Sequence, residues 1–288
     1  MIALLSRKFK LYWPLIKSLQ TGLLLLTGLT GFMTAKCPVF NLYIIAGLLG
    51  SLFLTVGGST ILNMVYDSDI DQMMNRTKKR PLATGEISVK EALILGLIVS
   101  FLGLFWAFSL SILYGWVVFV GLFLDVVVYT IWLKRKTAWS IVWGGISGGM
   151  PILAGRVLGL GEIDYIGVLL AVSILLWIPT HILTFSMKYH DDYSRAAVPT
   201  FPSVYGYRRT RIIIALSSLG AALSIGLGAV ALGLSWGYIR LLIVMTIGIV
   251  GLAFMSIFKP SDAVNFGLFK YASIYMMSSM LILVFGIA

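Results

Sequence analysis

Three oxygen-bearing side chains, Asn63, Asp67 and Asp71, recur at intervals of four residues near the end of an apolar run. If one helix continues through them, they lie on one face within an arc of roughly 80° and along about 12 Å of the axis. Carboxylates one turn apart repel each other, so a bound cation would stabilise them. Mg²⁺ typically takes one or two carboxylates together with substrate phosphates. The spacing therefore predicts a magnesium–phosphate site that contains Asp67 and Asp71. The alternative is a solvated helix end, but carboxylates at a helix C-terminus oppose the helix dipole.

A basic loop follows this acidic run immediately and contains Arg76 and Arg80. Guanidinium groups bind phosphate oxygens in a bidentate manner, and cations beside a metal stabilise a leaving diphosphate. Cytoplasmic loops of membrane proteins are also basic for reasons of topology alone. The adjacency of acids and arginines nevertheless favours a diphosphate-binding role for Arg76 and Arg80.

Two further charged groups are predicted at the same end of the protein. Lys188, Asp191 and Asp192 follow a later apolar run, and Lys134 and Arg135 follow another. We predict Asp191 and Asp192 as a second pair of metal-ligand candidates, with the choice between them open. Lys188, Lys134 and Arg135 are predicted diphosphate contacts. For Lys134 and Arg135, anchoring of a helix at the membrane surface is an equally good explanation.

Polar residues also occur inside the apolar runs. Asp125 and Tyr129 are four residues apart and share a helical face, on which Tyr129 could reach a ligand. An ionisable group within a membrane helix is a functional candidate by default, although Asp125 could equally be a hydrogen-bonded structural acid. His181 follows Pro179, which frees backbone groups in a helix. A buried histidine is nevertheless more often a structural hydrogen-bonding residue than a ligand.

The elements that must position these residues are membrane-spanning helices. The chain has 288 residues, of which 59% are hydrophobic and 11% are charged. A soluble domain has about a quarter of its residues charged, so the composition excludes soluble globular and disordered classes. Nine apolar runs are long enough to cross a bilayer. They are residues 18–35, 40–66, 91–110, 114–133, 138–156, 165–187, 211–232, 237–257 and 266–287. We predict an all-α bundle of nine transmembrane helices that forms one domain, residues 1–288.

The basic residues are unevenly distributed among the predicted loops. With the N-terminus in the cytoplasm, the inside segments hold nineteen of the 22 Lys and Arg residues, and only Lys36, Arg156 and Arg240 remain outside. The positive-inside rule then predicts a multi-pass protein of the cell membrane with its C-terminus outside. The same rule explains the net charge of +11 without a nucleic-acid partner. Eight of the 11 acids also lie inside, which places the predicted active site at the cytoplasmic face. The single cysteine, Cys37, excludes an internal disulfide.

A diphosphate site at the mouth of an apolar bundle fits a lipid diphosphate. Metal and cations would stabilise the leaving diphosphate as its C–O bond ionises, and an electron-rich acceptor would trap the allylic cation. Aromatic rings could shield that cation, because ring faces attract positive charge. A transporter for anions or divalent cations is the alternative from another class. It predicts acids along a path through the bundle, whereas these acids gather on one side.

These motifs resemble those of the UbiA-type intramembrane prenyltransferases. Asn63, Asp67 and Asp71 match the N-x-x-x-D-x-x-x-D motif of that family. The runs 67–82, 129–137 and 177–206 look like the protohaem IX farnesyltransferase (haem O synthase) subfamily in particular. The resemblance covers residues 60–206 well and the remainder in hydropathy only.

The resemblance implies Mg²⁺ as cofactor, and farnesyl diphosphate and haem B as substrates. The farnesyl chain would join a haem vinyl group, water would add, and diphosphate would leave. By the family motif, Asp67 and Asp71 would bind Mg²⁺ with Asn63 beside them. Asp192 would belong to the second acidic site. His181 would belong to the acceptor pocket. Haem A synthase or terminal oxidase assembly would be partners by family implication.

The sequence departs from the family pattern at four positions. Ser68 stands where the family usually has Arg, Asp125 where it has Tyr, Thr180 where it has Pro, and Ala197 where it has Gly. Asp125 is therefore placed with His181 as a candidate for the acceptor pocket. Asp125 and Thr180 also keep a different acceptor open as the alternative, namely a quinone precursor or an archaeal-type lipid.

Overall fold

The fold is an all-α bundle, seen in a computed structural model that describes residues 11–35 and 41–287. Within those residues no β-strand is formed, so the predicted fold class is confirmed. Three of the nineteen basic residues counted as cytoplasmic, Arg7, Lys8 and Lys10, lie outside the described residues, as do Lys36 and Cys37.

Nine long helices build the described part of the bundle. They are α1 Ser18–Met33, α2 Leu42–Tyr66, α3 Val89–Leu110, α4 Ile112–Leu133, α5 Ser140–Leu160, α6 Tyr165–Lys188, α7 Phe201–Ala231, α8 Trp236–Phe258 and α9 Asp262–Phe285. Three short helices, Trp13–Ile16, Ser68–Met73 and His190–Arg195, accompany them. Eight of the long helices, α2 to α9, are long and apolar enough to cross a membrane. Helix α1 has 16 residues and is shorter than a typical span, so nine spans and their orientation stay predictions.

The predicted helix 211–232 begins ten residues earlier than expected, at Phe201. Thr200 and Ser203 form reciprocal capping hydrogen bonds at its start, and Pro202 lies in its first turn. Proline is tolerated there because first-turn N–H groups have no partner within the helix. Gly206 has a φ of +79°, which introduces a kink that separates this first turn from the rest of α7.

Asn63, Asp67 and Asp71, here called the acidic ladder, span a break between two helices. Helix α2 ends at Tyr66, and Asp67 is the residue that links it to the short helix Ser68–Met73. The Asp67 N–H still donates to the Asn63 carbonyl at 3.0 Å, and the Asp71 N–H donates to the Asp67 carbonyl at 2.8 Å. The four-residue spacing thus persists although a single continuous helix does not.

The second half of α4 is wound more widely than an α-helix. Residues Leu124–Leu133 form a π-helix, and the N–H of Lys134 donates to the carbonyl of Tyr129, five residues back, at 2.8 Å. π-helical turns are rare and occur frequently at functional sites. Here the wide turns direct Asp125, Thr130 and Lys134 towards α2, where all three contact the acidic ladder.

Close helix crossings hold the frame of the bundle. A Cβ atom on Gly31 of α1 would collide with the backbone of Ile152 in α5, and one on Gly155 would collide with the backbone of Gly28. Small residues are the usual means by which membrane helices approach this closely. Where α5 meets α6, Arg156 forms a bidentate ion pair with Asp164 at 2.7 Å.

Candidate active site

A cavity of about 390 Å³ opens at the end of the bundle where α2, α4 and α6 finish. Its walls combine charged residues from the connecting segments with apolar residues of α5 and α6. Nine of the predicted site residues line this cavity: Asn63, Asp67, Asp71, Arg76, Arg80, Asp125, Tyr129, Lys134 and His181. Residues of α1, α2, α4, α5, α6 and α7 and of the segments between them thus meet at one end of the protein.

Two carboxylates of the ladder each contact a cation. The Lys134 ammonium donates to Asp67 Oδ2, and the Arg80 guanidinium donates to both oxygens of Asp71 at 2.7 and 3.0 Å. Asp67 and Asp71 are 6% and 4% exposed, so water screens their charges little. The cavity therefore concentrates charge of both signs at its mouth.

The oxygen ligands of this ladder fit a hard divalent cation. Asp67 Oδ1 is buried and has no hydrogen-bond partner among the described residues. A buried carboxylate oxygen without a partner is costly, and a cation would remove that cost. Among the described residues no group of three or more His, Cys, Asp and Glu side chains is close enough to hold a metal ion. Two carboxylates that share a metal with substrate phosphates are what Mg²⁺ typically uses.

Asn63 is held in a fixed orientation by its neighbours. Its amide nitrogen donates to Asp125 Oδ2 at 2.9 Å, and its amide oxygen accepts from the Thr130 hydroxyl at 2.8 Å. The Ser59 hydroxyl donates to the same oxygen of Asp125. Asp125 therefore contacts the ladder directly, through a network that the sequence analysis did not foresee.

The remaining predicted residues lie around the cavity and do not line it. Arg135 forms a bidentate pair with Asp69 at 2.7 Å and lies over the ring of Tyr66, at the end of α2. The Lys188 ammonium lies 3.6 Å from the ring centre of Phe266. Asp191 is exposed to solvent. None of these three residues contacts Asn63, Asp67 or Asp71 directly.

Asp192, in the short helix His190–Arg195, contacts the segment that contains Asn75 and Arg76. Its carboxylate accepts hydrogen bonds from the backbone N–H groups of Asn75 and Arg76 at 3.2 and 3.3 Å, and pairs with Arg195. Burial alone would raise the pKa of Asp192. The hydrogen bonds from Arg195, which has the largest effect, and from the two backbone N–H groups together hold this pKa below its ordinary value. Asp192 thus connects the loop after α2 to the segment after α6.

Two cations face the cavity without a carboxylate partner in the described part of the chain. The Arg76 guanidinium lies 4.9 Å from the ring centre of Phe185 and 5.6 Å from that of Tyr189. Lys17 lines the cavity from the start of α1. Burial, together with the nearby charges of Arg80 and Lys134, lowers the pKa of Lys17 to about 8.

The sequence analysis counted Lys17 only as a topological charge and missed it as a site residue. Its backbone adopts a left-handed conformation, with φ 45° and ψ 61°, between the short helix Trp13–Ile16 and α1. That conformation is unusual for a residue other than glycine. No local sequence signal marks it, because the turn depends on how Trp13–Ile16 packs against α2.

Deeper in the cavity, His181 belongs to an aromatic cluster between α6 and α9. Its ring stacks on Trp177 with centres 5.0 Å apart and on Phe269 with centres 4.4 Å apart. The Trp177 indole N–H donates to the Ala272 carbonyl at 2.8 Å, which fixes this ring against α9. The inner wall is therefore aromatic, and the mouth is charged.

The fold and the site define a multi-pass membrane protein with a charged cavity at one end of an apolar helical bundle. The chain matches the family of UbiA prenyltransferases over residues 24–274 and belongs to that family. It is therefore an enzyme of prenyl transfer, and the family resemblance noted from the sequence is confirmed.

Relatives and solved structures agree with this assignment. The chain is 42% identical over 202 residues to the protoheme IX farnesyltransferase of Archaeoglobus fulgidus, covering 70% of this chain and 71% of the relative. It is 35% identical over 276 residues to the enzyme of the same name from Pyrobaculum islandicum, covering 96% and 99%.

The fold is also similar to that of a solved digeranylgeranylglyceryl phosphate synthase. The TM-score is 0.81 at 18% identity, over 97% of this chain and 98% of the other. A UbiA homolog from Archaeoglobus fulgidus bound to DMAPP and Mg²⁺ gives a TM-score of 0.71 at 16% identity, over 95% and 99%. At these identities the likeness concerns the fold.

Proposed function

We propose that this enzyme transfers the farnesyl group of farnesyl diphosphate to a vinyl group of haem B, giving haem O and diphosphate, with Mg²⁺ as cofactor. The observation that carries the proposal is that Asp67 and Asp71 meet Arg80 and Lys134 in one cavity at the mouth of an apolar bundle. The acceptor is proposed from relatives named protoheme IX farnesyltransferase, one of which aligns with 96% of this chain.

The charged mouth suits a diphosphate. Lys17 and Arg76 have no carboxylate partner among the described residues and are free to contact phosphate oxygens. Arg80 and Lys134 add positive charge beside them. Charge-assisted hydrogen bonds of this kind are about twice as strong as neutral ones. These four cations bind the diphosphate and stabilise its charge as the C–O bond breaks.

Asp67 and Asp71 would hold the Mg²⁺ ion, and Asn63 lies beside them. When bound, the metal supplies positive charge to the leaving diphosphate. Asp125 and Thr130 keep the Asn63 amide oriented. The hydrogen bond from the Arg76 N–H to Asp192 keeps the backbone of Arg76 in place.

The inner cavity suits the prenyl chain and the acceptor. Phe185 and Tyr129 line it together with the apolar side chains of Ile141 and Ile182. Aromatic ring faces attract cations, so these rings stabilise the allylic cation until the vinyl carbon attacks it. Water then adds to the resulting cation beside the porphyrin ring and loses a proton, which balances the reaction.

A different acceptor remains the second candidate, and Asp125 is the observation that favours it. The related subfamily usually has Tyr at this position, and here a carboxylate lines the cavity. A quinone precursor or an archaeal-type lipid offers electron-rich or hydroxyl groups that a carboxylate could orient.

The test is incubation of the purified protein with Mg²⁺, farnesyl diphosphate and haem B, followed by mass spectrometry. We expect haem whose mass has increased by one farnesyl group and one hydroxyl group, and no product when Mg²⁺ is chelated. Transfer to a quinone precursor or a lipid alcohol, with haem B left unchanged, would overturn the proposed acceptor.

The site is proposed to face the cytoplasm in the cell membrane, as the distribution of basic residues predicts. Haem A synthase or terminal oxidase assembly would be the downstream partners of such an enzyme. Labelling of single cysteines placed at Lys78 and at Glu162 in a Cys37→Ser background, with a reagent that does not cross membranes, would test this orientation. We expect the Glu162 position to react in intact cells and the Lys78 position to react only after lysis.

A further inference from the structure

The ring of His181 stacks on two aromatic neighbours and lines the cavity. Trp177 and Phe269 are these neighbours, with interplanar angles of 20° and 26°. The ring still lines the cavity beside them. The ring nitrogens are therefore the groups through which His181 could bind a ligand in the cavity.

The hydroxyl of Ser273 is placed to accept a hydrogen bond from His181. Ser273 Oγ lies 3.2 Å from His181 Nδ1 and 3.3 Å from the carbonyl oxygen of Phe269. A hydroxyl has one proton to donate, and a carbonyl can only accept. The geometry therefore allows Nδ1–H to donate to Ser273 while the Ser273 proton goes to Phe269.

In that arrangement the Nε2 atom of His181 carries a lone pair. It has no hydrogen-bond partner among the described residues. Histidines that bind metals use this arrangement, in which one ring nitrogen donates to a fixed acceptor and the other is free. The outer hydrogen bond fixes the tautomer and the orientation of the ring.

We propose that His181 Nε2 is an axial ligand to the iron of a metalloporphyrin acceptor, with Ser273 as its positioning residue. The inference rests on the proposed function for the identity of the acceptor. Neutral imidazole is a common axial ligand of haem iron. Coordination at His181 anchors the macrocycle in the inner cavity, on the same side of the bundle as the diphosphate site. It also distinguishes a haem from a quinone or a lipid alcohol, neither of which offers a metal.

The chain contains only two histidines, which makes a sharp comparison possible. His190 lies in the short helix after α6, where its ring is near Tyr207 and Ser194, and it does not line the cavity. His190→Ala is therefore the matched control for His181→Ala.

The experiment is titration of the purified full-length protein in detergent with haem B, without farnesyl diphosphate, followed by absorption spectroscopy of the ferric and ferrous forms. We expect wild type and His190→Ala to show nitrogen-ligated iron. His181→Ala should lose that spectrum, and added imidazole should restore it. An unchanged spectrum in folded His181→Ala would overturn the proposal.

Two further measurements keep the test decisive if His181→Ala does not fold. Wild type should bind haem B at least tenfold more tightly than metal-free protoporphyrin IX, and equal affinities would contradict iron coordination. Ser273→Ala should weaken haem binding by roughly tenfold, as loss of an outer hydrogen bond does at other metal sites. Because farnesyl diphosphate is absent, failure of iron ligation is distinguishable from failure of the proposed function. If the enzyme farnesylates haem but the spectrum of His181→Ala is unchanged, the proposed iron ligation is wrong and the proposed function stands.

Discussion

Lys134 donates to the Asp67 carboxylate across the mouth of the cavity, although the two residues are 67 positions apart in the chain. Arg80 pairs with Asp71 in the same manner. Each carboxylate proposed as a metal ligand is therefore already neutralised by a cation that is also proposed to bind diphosphate. Metal and diphosphate would exchange these partners together, because the metal takes the carboxylates and the phosphates take the cations.

The first prediction concerns the acidic ladder. Asp67→Asn and Asp71→Asn should each lower the rate of prenyl transfer by roughly a hundredfold or more, because an electrostatic contribution to the leaving group is lost. Asp69→Asn is the matched control, since Asp69 pairs with Arg135 and does not line the cavity. Initial rates at saturating Mg²⁺ measure the effect. Full activity in either ladder variant would contradict the proposed mechanism.

The second prediction concerns Lys17 and pH. Burial, with the nearby cations Arg80 and Lys134, lowers the pKa of this ammonium to about 8, so its positive charge is present below that pH and lost above it. A charge-assisted hydrogen bond contributes about 1.5–3 kcal/mol. We therefore expect KM for the prenyl diphosphate to rise roughly tenfold between pH 7 and pH 9.

Two variants separate Lys17 from other groups that titrate in this range. Lys17→Gln should give a KM that is high at every pH, whereas Lys17→Arg should keep the low KM up to pH 9 because arginine stays charged. If both variants follow the pH profile of the wild type, Lys17 does not contact the diphosphate.

The third prediction concerns the acid in α4. Asp125→Leu would leave the Asn63 amide and the Ser59 hydroxyl without their common acceptor. Losing the partner of a buried donor costs about 1–3 kcal/mol, so the melting temperature should fall and Asn63 should lose its fixed orientation. Asp125→Asn keeps an acceptor oxygen and should retain most of the stability. Equal melting temperatures for wild type and Asp125→Leu would show that the network contributes nothing.

The fourth prediction separates two adjacent acids. Asp192→Ala removes the acceptor of the Asn75 and Arg76 N–H groups and should lower stability by about 1–3 kcal/mol. Asp191 is exposed, so Asp191→Ala should leave stability within about 0.5 kcal/mol. Thermal unfolding of the detergent-solubilised protein measures both. A loss of Mg²⁺-dependent activity in Asp191→Ala would instead support its predicted role as a metal ligand.

The pH dependence of the Asp192 contribution follows from the direction of its shift. Its pKa is lower in the folded protein than in the unfolded chain, so its stabilisation is present above the unfolded value of about 3.9 and is lost as the pH falls. Wild type should therefore lose more stability than Asp192→Ala when the pH is lowered from 6 to below 4. Parallel stability curves for the two proteins would contradict this linkage.

The features that could be predicted from sequence were those set by local spacing and hydropathy. Asn63, Asp67 and Asp71 lie on one face because their four-residue interval survives the break at Asp67. The apolar runs predicted the long helices, because a helix that crosses a membrane requires about 20 apolar residues in succession.

The features that escaped prediction depend on contacts between distant segments. Lys17 enters the cavity through a left-handed turn that its own sequence does not favour. Thr130 reaches Asn63 from another helix. Asp192 accepts backbone N–H groups from a loop more than a hundred residues earlier, a contact that the sequence analysis did not predict. Such pairings follow from how helices pack, and residue types alone do not specify them.

The π-helical segment Leu124–Leu133 carries a consequence for how this chain can change over evolution. A wide turn holds one more residue than an α-helical turn, so the segment behaves as an insertion absorbed without a loop. If the same residues were rewound as an α-helix, everything after them would face another direction, because an α-helix turns about 100° per residue and a π-helix turns less. Lys134 would then leave Asp67, although no residue had been lost or replaced. The direction in which the end of α4 faces is thus set by the winding of this segment as much as by its residue types.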